Sequence, residues 1–173
     1  MKKHKKYRGF TLIELMITVS VAMVLLVVAV PSLRALLQNN RVGGQANELY
    51  TSLNLARSEA LKTQRNVYVT ALNGATASNE FGPGWKVWVD GPSGTAGTQH
   101  VSEPTLAQVD ALQNGSTVDA TANMTQLFFA PDGTASATVT FAMRLPNCRG
   151  DDAGRNVSVS AVGRVSVAKV ACP

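Results

Sequence analysis

Apolar and polar positions divide this chain into three regimes. Phe10 to Val30 is an apolar run of twenty-one residues with one charge, Glu14, near its start. As a helix rising about 1.5 Å per residue it is about 31 Å long, close to the ~30 Å hydrocarbon core of a bilayer. A cleaved secretory signal is the rival assignment, but its apolar region runs about 7–15 residues and ends in a small-x-small site. This run is longer, and Ala29-Val30-Pro31 is a poor substitute for such a site. The pattern predicts a retained transmembrane helix over 10–30 behind a short leading segment, 1–9.

Beyond Pro31 the period changes. Val42, Ala46, Leu49, Leu53, Ala56 and Ala60 recur at steps of four and three, which is one face of an amphipathic helix over 31–66. Pro31 removes a backbone donor and either kinks a continuing helix or stops it. Gly43-Gly44 interrupts the pattern at about 1 kcal/mol per glycine relative to alanine, and marks either a hinge or a close packing contact.

Strand signals then take over in a β-rich region, 67–173. Residues 66–72, 85–90, 126–130, 137–143, 156–160 and 164–168 read as strands, with turn chemistry at Asn73-Gly74, Gly91-Pro92 and Pro131-Asp132-Gly133. The last two strands form a hairpin through Ala161-Val162-Gly163. Residues 91–125 are rich in Gly, Ser, Thr and Ala and read as a long loop with at most one short strand. Trp85 and Trp88 have opposite parity on a strand, so one points inward and the other lies near a surface. A helix followed by strands predicts an α+β fold, the helix packed on a small antiparallel sheet.

Charge changes the picture less than its total suggests. The 173-residue chain carries a net +5, but Lys2, Lys3, Lys5, Lys6 and Arg8 all precede the apolar run. Removing those five from sixteen basic residues leaves eleven, matching the eleven acidic ones. The five cations place the N-terminus in the cytoplasm and the remainder outside it, in a bacterium the periplasm. Within the remainder, Arg144, Arg149, Arg155, Arg164 and Lys169 face only Asp151 and Asp152 in the tail. That asymmetry is either a basic patch or a solvated surface with scattered cations.

Cys148 and Cys172 lack a CxxC partner or a nearby histidine, which argues against a metal or redox site. In an extracytoplasmic domain a disulfide is their simplest use, contributing about 3–4 kcal/mol in the chain-entropy model. His100 is the only histidine after residue 9 and sits in a loop, so histidine-based catalytic triads and metal sites lack their parts. The carboxylates are dispersed and the glycine-rich stretch 91–97 lacks the Gly-Lys-Ser/Thr of a phosphate loop. No residue pattern points to an enzyme, a cofactor or a metal.

Glu14 is the anomaly. A carboxylate at mid-bilayer costs about 2.5–3.5 kcal/mol, less near an end. One reading is a tolerated acid snorkelling to the headgroups. The other requires a cut between Gly9 and Phe10, which creates an α-amine one helical turn from Glu14. Glu14 of one chain then pairs with the Phe10 amine of a neighbour as subunits stack, since acids buried in membranes generally have such partners.

Lys6-Tyr7-Arg8-Gly9 followed by Phe10-Thr11-Leu12-Ile13-Glu14-Leu15 resembles the class III signal of type IV pilins and type II secretion pseudopilins. The resemblance implies that prepilin peptidase cuts after Gly9 and N-methylates Phe10, and that Glu14 guides assembly. It also implies a pilin-like fold, a proline kink at Pro31, and a single-pass protein of the bacterial inner membrane. Its partners would be membrane lipid before assembly, the inner-membrane assembly platform, and other pilins or pseudopilins. Further along, Leu49-Tyr50, the segment 55–61, the Gly84-Trp85-Lys86-Val87-Trp88-Val89 strand and the closing Gly163-Arg164-Val165 with Cys172 are similar to the GspH/FimT branch of minor pseudopilins.

Two functions follow as expectations. The first is a structural subunit of a type II secretion pseudopilus or a type IV pilus. The alternative is DNA capture for uptake in natural transformation, which some FimT-like proteins perform with a basic Gly-Arg-x-Arg motif. Here Gly163 and Arg164 are present, but Ser166 stands where the second arginine would be. On a regular strand Arg164 and Ser166 share a face while Lys169 points the other way. Arg149 and Arg155 could join Arg164 in salt-sensitive phosphate contacts.

Overall fold

The computed structural model describes residues 10–72, 77–92, 95–146, 148 and 153–172, excepting the side chains of Val28, Pro31, Arg34, Ala35 and Asn114. Among these residues one α-helix, α1 (Leu12–Thr63), is followed by eight strands: β1 (Val67–Ala71), β2 (Trp85–Val89), β3 (Thr105–Val109), β4 (Thr117–Ala120), β5 (Gln126–Phe129), β6 (Val139–Arg144), β7 (Gly154–Val159) and β8 (Val165–Val170). The chain divides into two units, 1–37 and 38–173.

In the first unit α1 starts on a cap. The Glu14 backbone N–H donates to Thr11 Oγ1 at 3.3 Å, and the Leu15 N–H to the Thr11 carbonyl at 3.2 Å. Thr11-x-x-Glu14 has the spelling of a capping box, with the acid in the first turn where it also favours the helix dipole. The described apolar side chains of this unit are exposed, Phe10 by 86%. The helix runs on through Pro31, so the proline does not stop it. Among the described residues no helix is by itself long and apolar enough to cross a membrane. A span over 10–30 rests on the hydropathy of the sequence.

In the second unit the amphipathic face is realised in full. Val42, Ala46, Leu49, Leu53, Ala56 and Ala60 are all buried, facing a core lined by strand residues of alternating parity. Gly43 and Gly44 lie inside the unbroken helix, and a Cβ on either would meet nothing within 4 Å. Within this chain, then, the pair makes no close packing contact among the described residues.

Among the described residues the antiparallel β-region is built as two four-stranded sheets, ordered β3-β2-β1-β5 and β4-β6-β7-β8. Residues 91–125 supply two strands, β3 and β4, not a loop with at most one. Both are outermost strands with few bulky apolar residues, which is why alternation failed to reveal them. Phe81 and Phe141 meet edge to face with centroids 4.9 Å apart, a favoured aromatic geometry. Cys148 and Cys172 form a disulfide with Cα atoms 5.6 Å apart, an ordinary spacing for such a bridge.

Both tryptophans are buried, Trp85 at 0% and Trp88 at 1% exposure, so neither lies at a surface. Trp88 occupies the other face of its sheet from Trp85, where it stacks on Tyr68 with centroids 4.6 Å apart, and Tyr68 in turn meets Phe128 at 5.1 Å. The loop between β2 and β3 closes over this row. Gln126 Nε2 donates to the Gly97 carbonyl at 2.9 Å, and the buried Glu103 carboxylate accepts from the Gly91 N–H at 2.8 Å and the His100 N–H at 2.7 Å. Burial, and then the Glu103 carboxylate, push Asp90 above the usual carboxylate range.

Candidate functional site

Two regions carry the residues singled out by sequence. The first is the start of α1. Phe10 lies just before the Thr11 cap and Glu14 in the first turn of α1, both exposed, and among the described residues Glu14 has no ion-pair partner. Among the described residues, then, the only favourable partner of this charge is the first-turn helix dipole. Gly9 and the rest of 1–9 lie outside the described residues. Thr11 is a residue that sequence reasoning missed, although its capping-box spelling was there to be read.

The second region is the β7–β8 hairpin. Its register is regular from Gly154↔Val170 to Val159↔Val165, so parity decides which cations meet. Arg155 pairs directly with Lys169, on the face that also carries the buried Val157 and Val159. Arg164, just before β8, shares parity with Ser166 and lies with Thr138, Ser158 and Ser160 in a shallow hollow on the opposite face. Arg144 joins that opposite face, donating to the Asn156 side-chain oxygen at 3.3 Å and the Arg155 carbonyl at 3.3 Å. The hairpin thus brings Arg155 and Lys169 together and sets Arg164 apart from them. Arg149 lies outside the described residues.

Gly163 has a packing role of its own. It sits at φ +73°, a conformation that favours glycine, in a turn closed by the Gly163 N–H on the Ser160 carbonyl at 2.8 Å. A Cβ there would run into the Gly133 carbonyl oxygen, itself in a turn where Gly133 has φ +79°. Arg57 of α1 clamps the two turns: its Nε donates to the Gly133 carbonyl at 3.1 Å and its Nη2 to the Val162 carbonyl at 3.2 Å. The glycine of Gly163-Arg164 is accounted for by this close approach alone. Arg57 carried no signal in sequence, because its partners lie 76 and 105 residues away.

Glu80 was also missed. It is 1% exposed, and its carboxylate is satisfied by the Ser78 N–H and the Ala120 N–H, each at 2.9 Å. Two backbone donors replace a counter-ion, so the residue ties a loop to β4 instead of forming a reactive centre. His100 Nδ1 is occupied by Ser102 within its own loop. Among the described residues no group of three or more His, Cys, Asp or Glu is placed to hold a metal ion.

Comparison with known proteins agrees with this architecture. The crystal structure of the type IV minor pilin FimU of Pseudomonas aeruginosa is 26% identical, covering 75% of this chain and 89% of that one with a TM-score of 0.60. A second crystal form of FimU gives a TM-score of 0.57. The minor pseudopilin EpsH from the Type 2 Secretion System of Vibrio cholerae shares the fold at 16% identity, with coverage of 75% and 97% and a TM-score of 0.53. No curated protein matches the chain. Residues 4–30 match the prokaryotic N-terminal methylation motif, and residues 45–163, well over half the chain, match the model described as type II transport protein GspH. On that match the chain belongs to the GspH family.

Proposed function

We propose that this protein is a minor subunit of a pilin-type fibre, the pseudopilus of a type II secretion system or a type IV pilus, built in through its N-terminal helix. The observation that carries the reading is the exposed start of α1, where Glu14 has no ion pair among the described residues, on a chain whose methylation motif and folded region both match this class of subunit. Prepilin peptidase cuts between Gly9 and Phe10 and methylates the new amine. The 10–30 helix then holds the chain in the inner membrane, N-terminus inward, with lipid around it until the assembly platform adds it to other pilins or pseudopilins. At that step the ammonium of one chain is matched by Glu14 of the next. Leaving both groups unpaired in lipid is the costlier alternative. Pro31 then serves as a kink within a helix that must pack among others.

The test is Glu14→Ala. The variant is expected to insert in the membrane normally and to lose incorporation by tenfold or more, about 1.4 kcal/mol at the least, in co-purification with the fibre. Wild-type incorporation refutes the reading. Capture of DNA is the second reading, supported by the exposed Arg164, whose side chain has no hydrogen bond or ion pair among the described residues. Its support is narrower, because Lys169 and Arg155 lie on the other face of the hairpin and Ser166 stands where a second arginine belongs. A salt-dependent gel shift abolished by Arg164→Gln would favour it.

A further inference from the structure

Each four-stranded sheet has two edges, and three of the four are blunted. Along β4, the Val118 N–H donates to Asn79 Oδ1 and the Ala120 N–H to Glu80 Oε2, both at 2.9 Å, while the Phe81 N–H donates to the Val118 carbonyl at 3.1 Å. Along β5, the Ser136 N–H donates to the Phe128 carbonyl at 2.9 Å, and Phe129 bridges to Ala135. β3 is short, the register opposite it breaks between Val87 and Trp88, and Glu103 and Asp110 flank it. These are the devices by which sheets stop edges from recruiting foreign strands.

β8 has only one of them, a single lysine. All six of its residues pair with β7 without a register shift, and no other described segment hydrogen-bonds to it. It contains no proline, and Ser166, Val167, Ala168 and Lys169 are exposed. It is also pinned at both ends. The preceding turn is clamped by Arg57 and wedged against Gly133, and Cys172, two residues beyond it, is bonded to Cys148. A strand already held in its paired conformation needs little further ordering to accept a partner.

We infer that β8 is a docking edge to which a neighbouring fibre subunit adds an extended segment carrying an acidic residue opposite Lys169. One face of the edge presents Val165, buried, Val167, 39% exposed, and then Lys169, which has no ion pair among the described residues. A segment fitting that face alternates apolar side chains with an acid at the Lys169 end. The inference rests on the fibre-subunit reading and names the surface by which this chain meets its neighbour.

The experiment places the photo-cross-linker p-benzoylphenylalanine at Ala168 in the full chain, in cells that build the fibre, with Thr105 on the β3 edge as the comparison. The expected result is an adduct from position 168 to an extended acidic segment of a different fibre subunit, several-fold above that from 105. Lys169→Glu should lower its yield about fivefold, the loss of one edge charge pair, and changing the acid of the cross-linked segment to lysine should restore it. Lys169 is exposed, so the reversal leaves the core and the disulfide intact. An adduct to β8 of a second copy, equal yields from both edges, or indifference to Lys169→Glu overturns the inference. Co-purification with the fibre is read in the same samples. A chain that enters the fibre without an adduct sinks the docking edge alone, whereas one that never enters sinks the parent reading and this inference with it.

Discussion

Removing the Arg57 clamp tests whether the helix holds the two glycine turns together. Arg57 makes one part-buried and one exposed hydrogen bond, to the carbonyls of Gly133 and Val162. A hydrogen bond from a charged donor contributes about 1.5–3 kcal/mol when buried. Here half of the geometry is open to water, so Arg57→Ala should cost about 2 kcal/mol for both bonds together. For a chain of this size that corresponds to a fall of about 4–8 °C in Tm. Lysine keeps the charge but cannot fork to both carbonyls, so Arg57→Lys should recover about half. Gly163→Ala should cost more than either. It adds about 1–3 kcal/mol of backbone strain at φ +73° and drives a Cβ into the Gly133 carbonyl oxygen, a backbone atom that cannot swing aside. Thermal unfolding of the full chain in detergent, followed by near-UV circular dichroism of the buried Trp85 and Trp88, reads all three. A shift below about 1 °C for Arg57→Ala, full rescue by lysine, or a Gly163→Ala variant as stable as wild type refutes the clamp.

Other outcomes follow from the same geometry. Gly43→Ala and Gly44→Ala fill open space within a helix and should each stabilise the folded unit by about 0.5–1 kcal/mol, seen as slower amide exchange around residues 40–47. Replacing Cys148 and Cys172 together by serine should destabilise the fold by about 3–4 kcal/mol, and reductant should shift the wild type but not that variant. For Asp90 the folded pKa is raised by burial and by Glu103, so its ionised form penalises the fold above that pKa. The penalty is relieved as pH falls through the raised value, and Asp90→Asn should therefore stabilise near pH 7 with a gain that vanishes in acid. Asp132 runs the opposite way: hydrogen bonds from the Thr134 hydroxyl and then its N–H lower its pKa, so its contribution is full above the ordinary carboxylate range and is lost as pH falls through the lowered value. A pH titration of Tm for wild type and Asp90→Asn separates the two.

What was legible in the sequence is what depends on neighbours a few residues apart. The face from Val42 to Ala60 repeats with the helical period, and all six of its members are buried. The hairpin through Ala161-Val162-Gly163 joins two alternating runs, and its strand parity correctly separated Lys169 from Arg164. What was not legible depends on segments far apart in the chain. Whether eight strands make one sheet or two is a matter of non-local pairing, and alternation within each strand says nothing about it. β3 and β4 escaped notice because outer strands need fewer bulky residues, and the burial of Trp88 depends on a loop that closes over it from the other side of the sheet.

The two candidate sites divide along the same line. The proposed processing and assembly determinant is contiguous, which is why Gly9, Phe10 and Glu14 stand out within a methylation motif matched over 4–30 without any fold. A determinant on the hairpin is a surface, and its chemistry exists only after pairing has decided which cations share a face. Gly163-Arg164 shows the difference. Read linearly, it is half of a phosphate-binding motif; in the folded chain its glycine is fixed by the approach of Gly133 under Arg57. A glycine that the fold already requires adds nothing to the case for DNA. That case rests on Arg164 and on the cations that share its face: among the described residues Arg144 does, while Arg155 and Lys169 lie on the other, so any binding would run through a few phosphate contacts and weaken with salt.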